Sequence, residues 1–189
     1  MKYYILGLLI STTFSLKAQT ENLVDIDGNT YKTILFNKQL WMAENLRTTK
    51  YNDGSPIALV NNSSEWGKLT QPAYCWHNND VKNNKNQYGA LYNWYSVETG
   101  KLCPIGWHVP SDKVWLSEAY LPVGYRDEKG SYWFVKNTSF YWTSTENSTT
   151  EAYQASVLFD RSEVLRDYTS KKYGLPVRCI KNENLVLDK

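Results

Sequence analysis

The stretch QYGALYNWYSVETGKLCPIGWHVPSD, residues 87–112, holds the strongest structural signals in the chain. Four apolar residues in its first half have the i, i+3, i+4, i+7 spacing of one helix face: Tyr88, Leu91, Tyr92 and Tyr95. Gly100 follows where a helix C-cap belongs. The stretch therefore predicts a helix over Gln87–Thr99 whose aromatic face lies in a core.

The end of the same stretch predicts a second helix. Ser111 is a preferred N-cap residue, and the carboxylate of Asp112 suits the positive end of a helix dipole. Trp115 follows at a position that would point inward. This helix has to be short, because Pro122 would interrupt it.

Strand signals flank the two helices. On the N-terminal side, VDIDGNTYKTILF (24–36) carries an Asp27-Gly28 hairpin signal, and Asn37-Lys38 marks a second turn before Gln39–Met42. On the C-terminal side, five strand-like strings are bounded by polar turns: GYRDEKGSYWFV (124–135), FYWTSTE (140–146), EAYQASVLF (151–159), EVLRDY (163–168) and LPVRCIK (175–181). The pattern predicts an α+β fold with two short helices between a small N-terminal meander and an antiparallel C-terminal sheet.

The first 18 residues are typical of a signal peptide. Lys2 supplies a positive start, residues 3–10 are apolar, and residues 15–18 offer a cleavage zone of small residues. The apolar run is far shorter than the roughly 20 residues of a spanning helix. We therefore expect export, with a secreted or cell-surface location and no stable membrane span after cleavage.

The remaining residues suffice for one domain, predicted over 22–182, with a tail at 183–189. The net charge is only +2 at pH 7, and the basic residues are interspersed with acidic ones. Nucleic-acid binders concentrate Lys and Arg on one surface, so no nucleic-acid partner is expected.

Three cysteines in an exported chain permit one disulfide by three possible pairings. Leu175, Val177 and Cys179 alternate onto one strand face, and Cys103 lies just before the apolar stretch 105–109. Both thiols are thus placed inward, which favours Cys103 with Cys179 and leaves Cys75 reduced.

The chain is rich in aromatic residues, with 8 Trp and 15 Tyr among 189 residues. Several stand in polar surroundings, among them Trp66, Tyr74 and Trp76, and exposed rings of this kind bind sugar faces or protein partners. The alternative is that they replace aliphatic residues in a loop-rich core. The first interpretation predicts a binding surface on the long loops of residues 51–86.

The string HNND (77–80) is the candidate metal site. Asn78, Asn79 and Asp80 offer several oxygens, the ligands that calcium prefers, although turn formation is the favoured explanation of the Asn residues. A transition-metal site would need three or four nitrogen or sulfur ligands, and the chain has only His77, His108 and three Cys to supply them. No such site is assigned, and the identity of any bound metal is unknown. No cofactor is expected.

Five strings carry a family resemblance: LWMAENLRTTKYNDGSPI (40–57), PAYCWHNND (72–80), the stretch 87–112, YWTSTEN (141–147) and YGLPVRC (173–179). In order and wording they closely resemble the FISUMP domain (Fibrobacter succinogenes major paralogous domain), a secreted bacterial module. The resemblance covers about residues 23–182. It implies a C-type-lectin-like fold related to that of formylglycine-generating enzymes. Compared with the family pattern, the chain is shortened between 116 and 123.

This resemblance favours a non-enzymatic recognition module that binds an extracellular glycan or surface protein, with a structural role in a surface assembly as the alternative. The formylglycine-generating relatives use a pair of late cysteines. Here Cys179 stands alone in that part of the chain, so a sulfatase-modifying enzyme is the weaker alternative.

The signal-peptide interpretation predicts that exported protein lacks about the first 18 residues. Intact-mass measurement of protein purified from the export fraction checks this, with cytoplasmic precursor as the reference. Exported material that retains Met1 would contradict the prediction.

Overall fold

A computed structural model of the chain describes residues 22–115, 121, 123–134, 138–158 and 164–183. The described ranges form a mixed α+β structure, mostly strands, with three short α-helices. The strands are β1 (Leu23–Val24), β2 (Thr30–Tyr31), β3 (Thr33–Phe36), β4 (Gln39–Met42), β5 (Ala58–Leu59), β6 (Ala73–Cys75), β7 (Leu91–Tyr92), β8 (Trp107–His108), β9 (Tyr125–Arg126), β10 (Tyr132–Trp133), β11 (Thr138–Glu146), β12 (Glu151–Leu158), β13 (Val164–Ser170) and β14 (Ile180–Lys181). The helices are α1 (Ser63–Trp66), α2 (Val81–Tyr88) and α3 (Trp94–Val97), with a 3₁₀ turn at His77–Asn79.

Three expectations fall wholly or partly outside these ranges. The signal peptide at 1–18 and nearly all of the tail at 183–189 lie outside the described residues. The same is true of most of the segment that we expect to be shortened, 116–123. All three stay predictions.

The strands form several small sheets. Their orders are β1-β2, β3-β4-β14-β8, β5-β6-β7, β9-β10 and β11-β12-β13. The pairing is antiparallel except between β5 and β6. The largest continuous pairing joins β11, β12 and β13, which supplies the C-terminal sheet that the sequence predicts.

Local turn chemistry forms the two N-terminal hairpins. In the first, the buried carboxylate of Asp25 accepts hydrogen bonds from the backbone N–H groups of Asp27 and Asn29 and from the hydroxyl of Tyr31. In the second, Asn37 and Lys38 have φ values of 47° and 65°, the left-handed pair of a tight hairpin turn. The predicted N-terminal strands and turns are confirmed.

The two ends of the domain meet in one sheet. Ile180 of β14 pairs with Trp41 of β4 on one side and with His108 of β8 on the other. The string LPVRCIK was predicted to be a strand of the C-terminal sheet, and this is wrong. Its last residues join the sheet of the N-terminal hairpin instead, and β11 makes a backbone hydrogen bond to this segment through the N–H of Trp142 and the carbonyl of Pro176.

The core is built around large aromatic side chains. Trp41, Trp66 and Trp142 are the three largest side chains that are almost completely buried. The indole N–H of Trp66 donates to the carbonyl of Lys172, and that of Trp142 donates to the carbonyl of Tyr92. Truncating a packed Trp to Ala costs about 3–5 kcal/mol, so these rings dominate the packing energy.

The predicted helix over Gln87–Thr99 is wrong, because the chain breaks it into three elements. Helix α2 ends at Tyr88, and Gly89 follows with φ 78°. A Cβ at Gly89 would come within 2.7 Å of the Cβ of Asn45, so the backbone passes where only glycine fits. Strand β7 follows, and the side chain of Asn93 then caps α3.

The predicted helix start at Ser111 is also wrong within the described residues. Residues 112–114 form a turn and bend. The side chain of Asp112 accepts a hydrogen bond from the hydroxyl of Thr145 at 2.8 Å instead of serving a helix terminus. Tertiary contact with β11 overrides the local capping signal.

The predicted disulfide is confirmed. Cys103 and Cys179 are bonded, with their Cα atoms 6.0 Å apart, and Cys75 is free and buried. The bond closes a loop between residues 76 positions apart. It connects the segment after α3 to the segment that enters β14.

Removal of the disulfide is expected to lower the free energy of unfolding by about 4 kcal/mol, because the unfolded chain regains the entropy of a long loop. Urea unfolding of the Cys103→Ala/Cys179→Ala double variant measures this. Wild-type protein under reducing conditions should show a similar loss, and Cys75→Ala serves as a control that keeps the bond. Equal urea midpoints for the double variant and the oxidised wild type would contradict the prediction.

Candidate functional site

An open aromatic cleft lies against the sheet β11-β12-β13. Side chains alternate between the faces of a strand, and the pairing of Gln154 with Asp167 fixes which residues share a face. One face presents the following cleft residues: Phe140, Gln154, Asp167 and Thr169. Thus each of the three strands contributes to one wall.

The opposite wall consists of Tyr125 and Tyr173. Their rings stack with centroids 5.8 Å apart and an interplanar angle of 19°, and Tyr125 also meets the ring of Phe140 edge-on at 5.4 Å. Leu175, which is only 1% exposed, lies between the walls. The cleft has a volume of about 200 Å³ and is open to solvent.

Backbone pairing holds the two tyrosines together. Arg126 and Gly174, their chain neighbours, exchange N–H to carbonyl hydrogen bonds of 3.0 and 2.8 Å. A Cβ on Gly174 would lie 2.9 Å from the ring of Trp66 and 3.1 Å from the Cβ of Arg126. Glycine at 174 therefore permits the close approach that builds the Tyr125–Tyr173 wall.

Arg126 anchors this wall from behind. Its side chain is fully buried and donates to the backbone carbonyls of Gly130, Val60 and Asn61 at 3.1, 2.6 and 2.8 Å. Its guanidinium also lies between the rings of Trp66 and Tyr132, at 4.5 and 4.8 Å. Hydrogen bonds and cation–π contacts together replace the water that this charge loses.

Polar groups in the cleft are positioned for hydroxyl recognition. The carboxylate of Asp167 is exposed and accepts from the backbone N–H of Tyr168 at 2.8 Å. Within the described ranges the Gln154 side-chain amide has no hydrogen-bond partner, so both its donor and acceptor groups are available. Burial raises the pKa of Tyr125 and of Tyr173, so both hydroxyls stay protonated at neutral pH. Flat rings beside an amide, a carboxylate and hydroxyls can bind a polyhydroxylated ring.

The structure does not bring the sequence-predicted aromatic residues to the surface. Trp66, Tyr74 and Trp76 are 0%, 6% and 5% exposed. The expectation of exposed rings at these positions is wrong, because the region 51–86 folds into β5, α1, β6 and the start of α2, and its rings pack inward.

The predicted oxygen-rich string forms a capped helix start. Asn78 and Asn79 are exposed with φ values of 53° and 57°, and Asp80 is the N-cap of α2. Both carboxylate oxygens of Asp80 accept hydrogen bonds from Asn83, which lowers the pKa of Asp80. In the described part of the chain, no group of three or more His, Cys, Asp or Glu side chains could hold a metal ion. Calcium binding at 78–80 stays untested.

The neighbouring thiol and imidazole are both buried. Burial raises the pKa of the Cys75 thiol to about 11, so the thiolate is scarce at neutral pH. His77 packs edge-on against Tyr132 at 5.5 Å, and burial lowers the pKa of its imidazole. Its Nδ1 has no hydrogen-bond partner among the described residues.

The cleft residues Tyr125, Phe140, Gln154, Asp167 and Tyr173 were missed from the sequence. Alternation along FYWTSTE and EAYQASVLF shows that Phe140 and Gln154 each point away from their immediate neighbours. No local signal gives the register between these strands or the approach of Gly174 to Arg126. Both are tertiary features.

These features define a small α+β module, closed by a disulfide and carrying an open aromatic cleft. The chain belongs to the Fibrobacter succinogenes major domain family, the FISUMP family, whose model matches residues 34–118 and 117–181. This is a family found in surface proteins and is not a known catalytic family. The resemblance read from the sequence is thereby confirmed. No curated protein and no solved structure gave a significant match.

The environment of His77 predicts a pH-dependent stability. Above its ordinary pKa, about 6.5, the imidazole is neutral in both states. As the pH falls below this value, the unfolded chain takes up a proton that the folded chain resists. The free energy of unfolding therefore declines with falling pH, with a slope that corresponds to at most about one bound proton. Urea midpoints between pH 7 and pH 5 measure this decline.

His77→Gln is expected to flatten that slope, because it removes the titrating group while keeping a similar volume. The matched control is His108→Gln, which makes the same exchange at an exposed position, so a change of slope common to both variants would not be assigned to His77. An unaltered slope in the His77 variant would show that another group titrates.

Proposed function

We propose that this protein is a secreted or surface-displayed, non-enzymatic recognition module that binds a glycan in the cleft between Tyr125, Tyr173 and the sheet β11-β12-β13. The observation that carries the proposal is the pairing of stacked, partly exposed tyrosines with a free amide, Gln154, and an exposed carboxylate, Asp167. Glycans are the class of ligand whose recognition uses both flat aromatic rings and polar side chains that bind hydroxyl groups.

Sugar rings have apolar C–H faces and hydroxyl rims. An aromatic ring buries the apolar face at low cost in side-chain entropy, and amides and carboxylates bind the hydroxyl groups in pairs. The cleft volume of about 200 Å³ is below the roughly 300 Å³ at which drug-sized pockets begin. We therefore propose that a single sugar unit, as part of a longer glycan, occupies it.

Export supports an extracellular ligand. The Cys103–Cys179 disulfide is typical of oxidising compartments, and the family is found in surface proteins; both support export. No helix in the described ranges has the length and hydrophobicity to span a bilayer. The arrangement of helices between N-terminal strands and a C-terminal sheet, with the hairpin β3-β4 and the late strand β14 joined in one sheet, supports a C-type-lectin-like fold.

The enzymatic alternative has little support from the cysteines. A sulfatase-modifying reaction of the formylglycine type needs a reactive thiol pair. Cys179 is already bonded to Cys103, and Cys75 is buried with a raised pKa.

A structural role in a surface assembly is the second candidate, and one patch favours it. Ile105 is 83% exposed beside Val24 and Ile26, which are 54% and 50% exposed. Adjacent exposed aliphatic residues are typical of a surface that contacts another protein. Sedimentation of wild type and an Ile105→Asp variant would show whether this patch joins copies of the chain.

The cleft proposal predicts that the mature domain binds a glycan and that Tyr173→Ala weakens binding by about tenfold through loss of one stacking wall. Asp167→Asn should weaken binding with little effect on folding, since Asp167 is exposed. A glycan array identifies the ligand, and calorimetry with the purified hit measures both variants, with and without calcium.

Phe134→Ala is the matched control, because Phe134 is an aromatic residue that is 54% exposed and lies outside the cleft. It should leave glycan affinity unchanged. Binding that is lost equally in Phe134→Ala and Tyr173→Ala, or that survives in both Tyr173→Ala and Asp167→Asn, would overturn the cleft assignment.

A further inference from the structure

Three cationic side chains are buried in the described part of the chain, and they differ in how their charge is satisfied. Lys171 forms an ion pair with Glu146 and lies 3.9 Å from the carboxylate of Glu98. Arg126 donates to three backbone carbonyls and lies between two rings. Arg178, only 5% exposed, has no such set of partners.

The guanidinium of Arg178 makes one hydrogen bond within the described residues. Its Nε donates to the side-chain oxygen of Asn45 at 2.8 Å, and its charge lies 5.4 Å from the ring centre of Tyr141. An arginine side chain has five N–H donors, so four remain for another acceptor. The terminal nitrogens of Arg178 are not fully buried, so water reaches these donors and an acceptor on a ligand can replace that water.

Arg178 lines a cavity of about 260 Å³ that is separate from the aromatic cleft. Tyr141, against which Arg178 packs, lies on the face of β11 opposite to Phe140 of the cleft. The cavity is also lined by the exposed amide side chains of Asn86 and Gln87, at the C-terminal end of α2.

Of the described residues that line this cavity, Glu44 carries the one carboxylate, and it is already engaged. Glu44 accepts a hydrogen bond from the backbone N–H of Lys32 with one oxygen and from Arg47 with the other, both at 3.0 Å. The charge of Glu44 is therefore compensated outside the cavity. Among the described residues, Arg178 is then the one charge in the cavity lining that no opposite charge compensates.

We propose that this cavity binds the carboxylate of a small hydroxylated acid, of which a uronic acid sugar is the representative. The planar guanidinium matches a carboxylate with two parallel hydrogen bonds. Beside it, the amides of Asn86 and Gln87 are suited to hydroxyl groups, whereas an aliphatic side chain of a peptide would find few apolar contacts among them.

The test is a titration of ¹⁵N-labelled mature protein with sodium glucuronate, with the side-chain Nε–H signal of Arg178 observed by NMR. Glucuronate should shift this signal, and glucose, which lacks the carboxylate, should not. Acetate should shift it at higher concentration, because it offers the carboxylate alone. No shift with glucuronate would overturn the proposal.

Arg178→Lys should weaken glucuronate binding by roughly 10-fold or more, since a lysine keeps the charge but loses the paired hydrogen bonds. Gln87→Ala, an exposed substitution, should weaken glucuronate but not acetate. The matched control is Arg166→Lys, an exposed arginine outside the cavity, which should change neither.

Two other outcomes decide against the assignment. Equal affinity of Arg178→Lys and wild type, with both folded by circular dichroism, would show that the arginine is structural. Binding of a glutamate-containing peptide without any binding of glucuronate would assign the cavity to an acidic peptide instead. Loss of glycan binding in the aromatic cleft leaves this test unaffected, since the two sites lie on opposite faces of the sheet.

Discussion

The backbone of residues 174–180 is hydrogen-bonded to segments from every part of the described chain. Its successive partners, in order along the segment, are Arg126, Tyr92, Trp142, Leu46, Met42 and the strands β4 and β8. All seven residues are buried. A buried irregular segment is stable only if its N–H and carbonyl groups find partners, so the small sheets have to assemble around this segment together. The Cys103–Cys179 bond then fixes one of its ends.

Both proposed binding sites depend on this segment. Tyr173 and Leu175 contribute to the aromatic cleft, and Arg178 lines the cavity behind the sheet. The side chains of a nearly extended chain alternate in direction, so one segment can supply residues to opposite sides of β11-β12-β13. Because its backbone is held by many elements, the side chains that it presents are held in place before any ligand arrives, which lowers the entropy cost of binding.

The features that could be predicted correctly from the sequence are those determined by residues close to each other along the chain. The turns at Asp27-Gly28 and Asn37-Lys38 are local chemistry, and both appear in the structure. The disulfide followed from inward alternation around Cys179. The prediction of a helix over Gln87–Thr99 was wrong because the same apolar spacing fits three successive elements. These are the end of α2, strand β7 and helix α3, and each of them directs apolar side chains inward. The cleft needs the register of three strands and a close approach at Gly174, and no sequence period encodes either.

The abundance of aromatic residues has a structural explanation that also singles out the cleft. Short strands leave many backbone carbonyls at their ends, and aromatic side chains with a polar tip satisfy them from inside the core. Four such bonds join a donor ring to a carbonyl: Trp66 to Lys172, Trp94 to Thr143, Trp142 to Tyr92, and Tyr92 to Thr48. An aliphatic side chain cannot donate, and a buried carbonyl left without any donor costs about 1–3 kcal/mol. The carbonyl of Tyr92 keeps a second donor, the backbone N–H of Leu175. Among the described residues, the hydroxyl of Tyr125 has no hydrogen-bond partner, and neither do the indole N–H of Trp41 and the hydroxyl of Tyr51 in the core. Tyr125 differs from these two because it is partly exposed. Its ring faces the cleft, so it is available to a ligand where the core rings are not.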